Sequence, residues 1–364
     1  MSVSVTIDGQ PAERSEAYLE VLRDLGAVPN ESQKHFEVWT SQPAGPATSE
    51  SIWLAPSTDS VKDEWLRDGG AVLQAQAISE GAQDWLFRGN SRIKVRCAIP
   101  MPIEPEVLAA FLAHDFPLVD AVMLARAYRG CGWPNNLSDY PVPLGGPSSS
   151  TPFPRFPRSS GLYAVVPTND WVRRLSQENV SVLQLRDKRK DDARRAIEVS
   201  KAVEAVATTD ALLFINDDWR LAVQHGAHGV HLGQEDIALA DLGSIRQAGL
   251  RLGISTHGIY EMLCAHACKP SYMALGAIYA TETKAMPTAP QGLRRLEHYV
   301  RLMSPHYPLV AIGGIDLARI AGVWDSGVDC AAVLRAIVNA EDYRRAVADL
   351  MATKSRMNSA TEAA

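Results

Sequence analysis

The sequence lacks the features of a disulfide-stabilised, zinc-binding or membrane-spanning protein. Its 364 residues include 5 cysteines, and no two of them form a C-x-x-C pair. A chain of this length with so few cysteines does not rest on a disulfide framework and offers no standard zinc ligand set. No run of 18 apolar residues occurs, and the opening residues MSVSVTIDGQPAER contain neither a basic start nor an apolar stretch. We therefore expect a cytoplasmic protein with no membrane partner.

A surplus of basic residues is missing as well. The chain has 36 Lys and Arg residues against 42 Asp and Glu residues, which gives a net charge of −6. Residues 1–85 are acidic, with 14 acidic and 5 basic side chains. Proteins that bind nucleic acids need a concentrated basic surface. We therefore expect no nucleic-acid partner.

A segment rich in proline, glycine and serine divides the chain. It reads RGCGWPNNLSDYPVPLGGPSSSTPFPRFPRSS over residues 129–160 and shows no period of a helix or strand. Such a composition favours extended and turn conformations over a packed core. We predict an α+β domain over residues 1–128, a linker over 129–160, a second domain over 161–352 and a flexible tail over 353–364.

The first domain has patterns of both helices and strands. Helical periodicity covers Glu13–Leu25, Glu104–His114 and Leu118–Tyr128. The segments with the composition of strands are Phe36–Thr40, Ile52–Pro56 and Ile93–Ile99. Five of the eight tryptophans fall before the second domain, which favours a folded module over a disordered region.

Short apolar runs alternate with longer amphipathic segments in the second domain. The runs are Leu162–Val166, Val180–Leu185, Ala211–Ile215, Gly229–Leu232, Leu252–Ser255, Tyr272–Ile278, Leu309–Ile312 and Cys330–Leu334. The helical segments include Asp191–Thr208, Asp218–His225, Ile259–Ala267, Leu293–Ser304, Asp316–Ser326 and Asp342–Met351. Eight such repeats over about 190 residues predict an α/β fold, a closed (β/α)8 TIM barrel. The alternative, an open doubly wound sheet, needs a glycine-rich nucleotide turn after its first strand, and none follows.

Polar side chains follow the second strand of the predicted barrel. Side chains alternate along V-S-V-L-Q-L-R-D-K, so Leu183 and Leu185 face outward while Gln184 and Arg186 face the barrel mouth. Lys188 continues the inward row. Active sites of such barrels lie at the carboxyl ends of the strands. The three polar groups are therefore candidate site residues.

Carboxylates follow the third and fourth strands. The third strand ends in F-I-N-D-D and the fourth in H-L-G-Q-E-D, which brings Asn216, Asp217 and Asp236 to neighbouring strand ends. Two carboxylates beside cations suit a Mg²⁺ that keeps several waters and takes further ligands from a substrate phosphate. Helix capping is the alternative for any aspartate in such a position. We assign capping to Asp218, Asp316 and Asp342 and the metal to Asp217 and Asp236.

The remaining strand ends supply small and polar groups. In the fifth strand, L-G-I-S-T-H, Gly253 leaves room for a ligand and Ser255 is available to hydrogen-bond it. The loop after the sixth strand, A-T-E-T-K, contains Thr281, Thr283 and Lys284. The seventh strand ends in A-I-G-G-I-D, and backbone amides at Gly313-Gly314 lie where such barrels usually bind phosphate.

Several residues with metal-binding chemistry fit structural roles better. His225, His228 and His231 recur every three residues, but they belong to different predicted elements and no acidic or thiol partner repeats the spacing. We expect structural or supporting roles, with His231 lining the barrel interior. Cys264 and Cys268 are interpreted as small buried residues.

Seven stretches in order along residues 161–352 resemble one known family. They are QLRDK, FINDDWRLA, GVHLGQED, GISTH, YATETK, MPTAPQGL and AIGGI, and together they resemble the thiamine-phosphate synthases. The resemblance implies coupling of the diphosphate ester of 4-amino-2-methyl-5-hydroxymethylpyrimidine with 4-methyl-5-(2-phosphoethyl)thiazole. Thiamine phosphate and pyrophosphate would be the products. The small-molecule substrates would be the partners, and a homo-oligomer is an open alternative.

The resemblance also implies roles for the residues at the strand ends. Gln184 and Ser255 would contact the pyrimidine, and Arg186, Lys188, Asn216 and Lys284 would contact the pyrophosphate. Asp217 and Asp236 would hold Mg²⁺ as the cofactor, and Thr281, Thr283 and Gly314 would contact the thiazole phosphate. Arg186, Lys188, Ser255 and Lys284 are thus the candidate catalytic residues.

The sequence departs from the family pattern at two positions. Ala280 stands where the family commonly has proline, which affects the stiffness of that loop. The eighth strand reads A-V-L-R-A-I, so Leu334 and Arg335 are candidate binding residues and Arg335 stands where a phosphate-binding serine is frequent. An arginine could grip the same phosphate in a bidentate manner, or it could point to solvent.

The role of the first domain stays open. Residues 104–128, EPEVLAAFLAHDFPLVDAVMLARAY, faintly resemble the closing helices of hydroxymethylpyrimidine phosphate kinase, but the glycine-rich anion hole of that kinase does not occur before Cys97. A degenerate kinase remnant and an unrelated binding or oligomerisation module both fit. For the barrel, the alternatives to a Mg²⁺-dependent synthase are a non-catalytic thiazole or thiamine phosphate-binding regulator and a thiazole tautomerase. Neither alternative needs the cluster of Arg186, Lys188, Asp217, Asp236 and Lys284.

Overall fold

A computed structural model describes most of the chain and divides it into two compact units. The described residues are 4–12, 15–24, 35–40, 51–56, 66–67, 70–78, 81–88, 90–98, 103–189, 191–281 and 289–362. The units comprise Met1–Gly146 and Pro147–Ala364. Over the described residues, no helix has the length and apolar character needed to cross a lipid bilayer.

The first unit is built on a mixed sheet. Its strands are β1 (Ser4–Ile7), β2 (Gln10–Pro11), β3 (His35–Trp39), β4 (Ser51–Pro56), β5 (Ala71–Ile78), β6 (Gly81–Arg88), β7 (Ser91–Cys97) and β8 (Val142–Pro143). They lie in the order β2-β1-β3-β4-β5-β6-β7-β8. Strands β1, β3, β4 and β5 are mutually parallel, whereas the pairs β1–β2, β5–β6, β6–β7 and β7–β8 are antiparallel. The predicted α+β class is confirmed, and the sheet has more strands than the sequence indicated.

A buried ion pair links the sheet of the first unit to one of its helices. The helices of this unit are Glu16–Asp24, Pro105–Ala113 and Leu118–Ala127. Arg126 donates two hydrogen bonds to Asp84 of β6, from Nε at 2.5 Å and from Nη2 at 2.6 Å. Both side chains are buried. The contact joins the helix Leu118–Ala127 to β6. Removal of either partner would destabilise the unit, because the other charge would stay buried without compensation.

The boundary between the units falls inside the segment predicted as a linker. Strand β8 adds residues of that segment to the first sheet. The part after Gly146 follows the barrel instead, with the Ser149 N–H bonded to the Ala267 carbonyl and the Phe153 N–H to the Lys269 carbonyl. Backbone pairing with the two units therefore gives this proline-rich segment its structure. At the other end of the second unit, the last helix runs to Glu362, through residues predicted as a tail.

The second unit is a closed barrel of eight parallel strands. They are β9 (Gly161–Val166), β10 (Val182–Leu185), β11 (Leu212–Asn216), β12 (Gly229–Leu232), β13 (Arg251–Thr256), β14 (Tyr272–Leu275), β15 (Leu309–Ile312) and β16 (Cys330–Val333). The order is β10-β11-β12-β13-β14-β15-β16, and β9 closes the ring between β16 and β10. Gln184 pairs in register with Val165 and Phe214, which aligns the strand ends. All eight predicted strands are confirmed.

Helices separate the strands of the barrel. They are Asn169–Ser176, Asp192–Val206, Trp219–His225, Gln234–Ile237, Leu242–Gln247, Ile259–Cys268, Gly292–Met303, Ile320–Asp325, Arg335–Val338 and Tyr343–Glu362. Asp218 caps the helix that starts at Trp219, because its side chain accepts a hydrogen bond from the Leu221 N–H at 3.3 Å. Asp316 accepts from the Arg319 N–H in the same way, at 3.1 Å. The prediction of capping for these two aspartates is confirmed.

Aromatic rings fill the interior of the barrel. Phe156, from the segment before β9, packs 4.6 Å from the Tyr272 ring and 5.8 Å from the Phe214 ring, measured between centroids. Tyr163 completes the group, 6.0 Å from Tyr272. All four side chains are buried. This packed layer lies below the carboxyl ends of the strands and supports whatever binds there.

Gly253 makes room for Tyr272 and not for a ligand. A Cβ built on Gly253 would lie 2.1 Å from Cζ and 2.3 Å from the hydroxyl oxygen of Tyr272. The expectation of ligand space at Gly253 is therefore wrong, since the neighbouring strand fills that space. A Cβ built on Gly229 would likewise lie 2.3 Å from Cε1 of Phe214. The two glycines admit the two large rings that pack at the barrel centre.

Replacement of Gly253 should test this fit. Gly253→Ala is expected to destabilise the protein by about 1–3 kcal/mol, because the added methyl group must push the Tyr272 ring or the backbone aside. Urea denaturation measures the loss. Gly146→Ala is the control, since a Cβ at Gly146 would meet no atom within 4 Å. Equal stability of the Gly253 variant and the wild type would contradict the packing described here.

Candidate active site

A cavity of about 670 Å³ opens at the carboxyl ends of the barrel strands. Every predicted site residue that the structure describes lines it. These residues are Gln184, Arg186, Lys188, Asn216, Asp217, Asp236, Ser255, Thr281, Gly314, Leu334 and Arg335. Thr283 and Lys284 lie outside the described residues. The structure thus brings together residues from seven strand ends that are spread over some 150 residues of sequence.

The mouth of the cavity holds a contact between one cation and two carboxylates. Lys188 Nζ lies 2.8 Å from Asp217 Oδ2. Asp217 in turn shares a hydrogen bond with Asp236. Burial and the charge of Asp217 raise the pKa of Asp236, because both disfavour a second negative charge at this position. The pair therefore binds a positive charge more readily than either carboxylate would alone.

The backbone of Asp217 places its carboxylate between two strands. Asp217 has φ of +63°, a left-handed conformation that aspartate tolerates better than most residues. Its N–H donates to the carbonyl of His231 on β12 at 2.9 Å. Asp218 then caps the next helix. Two consecutive aspartates thus serve different purposes, one facing the cavity and the other ending the loop.

Arg186 adds a second cation to the cavity wall. Partial burial lowers the pKa of its guanidinium, and the charge of Asp217 opposes that effect. Its N–H donates to the Val166 carbonyl of β9 at 2.8 Å, which continues the barrel pairing beyond the end of β10. The side chain of Arg186 therefore extends from backbone that is hydrogen-bonded within the barrel.

Polar side chains form the floor of the cavity. Gln184, His231 and Ser255 line it, and the first two are buried. His231 Nε2 lies 2.8 Å from Ser255 Oγ. Gln234 Nε2 donates to the Ser255 carbonyl at 2.6 Å, which holds the end of β13 in place. His231 thus lines the barrel interior as the sequence predicted.

The side of the cavity next to β15 and β16 combines glycines with a short helix. Gly313 and Gly314 have positive φ values of 104° and 63°. A Cβ on Gly314 would lie 2.5 Å from the Ala280 carbonyl oxygen, so only glycine allows these two loops to approach. Leu334 is at the N-cap position of the helix that begins at Arg335, and its side chain makes no capping hydrogen bond. The first N–H groups of a helix have no partner within it, and they can bind an anion.

Arg319 is a cavity residue that the sequence did not identify. It lines the same cavity, and its Nη1 donates to the Gly314 carbonyl at 2.8 Å. Its guanidinium carbon lies 5.1 Å from the centroid of the Tyr279 ring. The sequence shows Arg319 only as a basic residue three positions after Asp316, which caps a helix. A cap and a binding residue in the same turn are hard to separate by sequence.

His228, Cys264 and Cys268 lie in local environments of the barrel and form no metal site with the other residues that the structure describes. His228 Nδ1 accepts from the Leu213 N–H at 3.1 Å, and burial lowers its pKa. Burial raises the pKa of both Cys264 and Cys268 to about 11, so these thiols are poor nucleophiles at neutral pH. These contacts agree with the structural roles expected for them.

The donor set at the mouth fits a hard divalent cation. Asp217 and Asp236 offer carboxylate oxygens to a shared space, and their mutual repulsion is relieved by a cation between them. Over the described part of the chain, no group of three His, Cys, Asp or Glu side chains forms a ligand set. Two carboxylates suit Mg²⁺, which usually keeps several waters and substrate oxygens as further ligands.

Known proteins resemble the second unit closely. A family model described as thiamine monophosphate synthase matches residues 162–337. The thiamine-phosphate synthase of Serratia proteamaculans is 50% identical over 202 residues, which cover 56% of this chain and 95% of the relative. That of Citrobacter koseri is 50% identical over 200 residues, which cover 55% of this chain and 94% of the relative.

Among solved structures, thiamine phosphate pyrophosphorylase from Pyrococcus furiosus is 26% identical to this chain, with a TM-score of 0.49. The match covers 55% of this chain and 97% of the Pyrococcus furiosus protein. The identity to the curated relatives extends over nearly their whole length. By that extent of identity, the chain belongs to the thiamine-phosphate synthase family.

Proposed function

We propose that the barrel couples the pyrimidine diphosphate with the thiazole phosphate and releases pyrophosphate. The relatives named above are thiamine-phosphate synthases, and they are matched over more than nine-tenths of their length. The observation that carries the proposal is the contact of Lys188, Asp217 and Asp236 at the cavity mouth. A binding protein for thiazole phosphate has no need of this cluster.

The reaction breaks a bond between a methylene carbon and a diphosphate oxygen. Electrons of that bond leave with the diphosphate, and the pyrimidine ring stabilises the positive charge that develops on the carbon. The thiazole nitrogen then supplies the electron pair for the new C–N bond. No nucleophile from the protein is required, so the residues act by binding, orienting and stabilising charge.

Cations at the cavity mouth would stabilise the leaving group. Arg186 and Lys188 line the cavity on consecutive inward positions after β10, and Asn216 lies beside them. Negative charge on the diphosphate increases as the bond breaks, so each well-aimed cation or donor lowers the barrier by about 3–4 kcal/mol. From the family resemblance, Lys284 keeps its proposed role at the pyrophosphate and Thr283 its proposed role at the thiazole phosphate.

Asp217 and Asp236 would hold Mg²⁺ next to the diphosphate. When bound, the metal ion supplies positive charge that favours departure of the diphosphate. The contribution of this chain is to present two carboxylates in contact and to balance them with Lys188. Lys188 is thereby held within reach of the leaving group.

The thiazole phosphate would bind on the opposite side, near β15 and β16. Loops after the seventh and eighth strands, together with a short helix, form the usual phosphate site of such barrels. In this chain those elements supply Gly314, Leu334 and Arg335, and Thr281 lines the cavity from the loop after β14. Arg335 is the first residue of its helix, where a cationic side chain and backbone N–H groups can meet one anion.

Loss of one carboxylate should weaken the response to Mg²⁺. Asp236→Asn is expected to lower the rate of thiamine phosphate formation about 100-fold at a fixed, low Mg²⁺ concentration, with partial recovery as Mg²⁺ is raised. Asp218→Asn is the matched control, because asparagine still caps the helix at that position. Undiminished product from Asp236→Asn or from Asp217→Ala would contradict the proposed metal site.

Arg335 should act on one substrate only. Arg335→Ala is expected to raise KM for the thiazole phosphate about 10- to 100-fold, the usual value of a charge-assisted hydrogen bond. KM for the pyrimidine diphosphate should stay unchanged. Arg344→Ala, which removes an exposed arginine from the last helix, serves as the control. An unchanged KM for the thiazole phosphate would place the Arg335 side chain outside the site.

For the first unit we propose a degenerate kinase remnant with no kinase activity. The sequence before Cys97 lacks the glycine-rich anion hole that such a kinase needs. The full-length chain, incubated with ATP, Mg²⁺ and the pyrimidine monophosphate, should give no pyrimidine diphosphate. Formation of the diphosphate above the rate of a protein-free control would overturn this proposal.

A further inference from the structure

A continuous chain of hydrogen bonds crosses the barrel interior and joins two cavity residues. Gln184 Nε2 lies 2.9 Å from the Tyr163 hydroxyl, which lies 2.7 Å from the Tyr272 hydroxyl. The Tyr272 hydroxyl lies 2.8 Å from His231 Nδ1, and His231 Nε2 lies 2.8 Å from Ser255 Oγ. Gln184 and Ser255 line the cavity, whereas the two tyrosines lie beneath its floor.

The two tyrosines in the middle of the chain stay uncharged. Both are fully buried, and burial raises the pKa of each phenol above its ordinary value. A protonated phenol has one hydrogen to donate, and here it has a polar partner on either side. Each tyrosine must therefore accept from one neighbour and donate to the other.

This arrangement gives the chain a direction. When Gln184 Nε2 donates to Tyr163, Tyr163 donates to Tyr272 and Tyr272 donates to His231 Nδ1. A neutral His231 then has its proton on Nε2 and donates to Ser255 Oγ, which leaves the serine hydrogen for the cavity. If the amide of Gln184 turned over, every link would reverse and Ser255 would offer only lone pairs. No link can reverse without the others.

We propose that Tyr163, Tyr272 and His231 are positioning residues that couple the hydrogen-bond polarity of Gln184 to that of Ser255. In the arrangement of this structure, the amide of Gln184 keeps its oxygen as an acceptor and Ser255 offers a donor. A neutral heteroaromatic ring with an N–H group at one edge position and a ring nitrogen at the next has the complementary pattern. An aminopyrimidine is such a ring, and this identification of the ligand rests on the proposed function.

The direction of the chain can be measured without any substrate. In protein labelled with ¹⁵N-histidine, the His231 signals, assigned by comparison with His231→Gln, should show a neutral ring with the proton on Nε2. Gln184→Glu leaves both side-chain partners of His231 in place, yet its carboxylate can only accept from Tyr163, so every link should reverse and the proton should move to Nδ1. A proton on Nδ1 in the wild type, or His231 signals that Gln184→Glu leaves unchanged, would overturn the proposal whatever reaction the protein catalyses.

Coupling to the site can be measured by kinetics. Tyr272→Phe should lower kcat/KM for the pyrimidine diphosphate about tenfold and leave KM for the thiazole phosphate unchanged. In the Ser255→Ala background, Tyr272→Phe should lower the same kcat/KM by less than about twofold, because the tyrosine acts through that serine. Additive losses in the double variant would refute the coupling. His231→Leu, which removes the link next to Ser255, provides a second test of the same cycle should Tyr272→Phe fail to fold.

A matched control exists outside the cavity. The Tyr307 hydroxyl lies 2.8 Å from His266 Nδ1, the same contact at the same distance as between Tyr272 and His231. Tyr307→Phe should therefore show the general effect of losing a tyrosine–histidine bond, with unchanged kinetics for both substrates. Equal kinetic losses in the two tyrosine variants would point to a general effect on stability and against the proposed relay.

Discussion

The interior of the barrel depends on one fit between a missing side chain and a large ring. Gly253 has no Cβ, and the Tyr272 ring occupies the space that a Cβ would need. Phe156 and Phe214 pack against that ring, so its hydroxyl meets His231 at 2.8 Å. His231 in turn bonds the Ser255 hydroxyl. The position of a polar group on the cavity floor thus follows from an apolar contact beneath it.

The charge at the cavity mouth is a local property that the net charge of the chain conceals. The chain carries −6 overall, yet Arg186, Lys188, Arg319 and Arg335 line one cavity. Salt screens exposed charges beyond about 10 Å at 0.1 M ionic strength. The groups that line the cavity therefore influence its field more than the net charge of the chain does. A phosphorylated substrate is compatible with an acidic protein for this reason.

The barrel could be predicted from the sequence because each buried strand has a recognisable pattern in its own residues. An apolar run with polar residues at its carboxyl end marks a strand, and parallel strands end at one edge, so Asp217 and Asp236 could be predicted as neighbours. The contact between Tyr272 and His231 spans 41 residues and depends on barrel packing, which no local pattern contains. Strand β5, AVLQAQAI, is rich in alanine and glutamine, and only its pairing with β4 and β6 makes it a strand.

The floor and the mouth of the cavity together determine how a substrate enters. Gln184, Ser255 and the phenols beneath them are uncharged, whereas Arg186 and Lys188 lie nearer to solvent. A diphosphate placed on the floor would lose its hydration without meeting a cation, at a cost of several kcal/mol. A neutral ring on the floor loses little hydration free energy and gains directed hydrogen bonds. Under the proposed function, the methylene carbon that joins ring and diphosphate would lie between floor and mouth, facing the side of Gly314 and Arg335 that we propose for the thiazole phosphate.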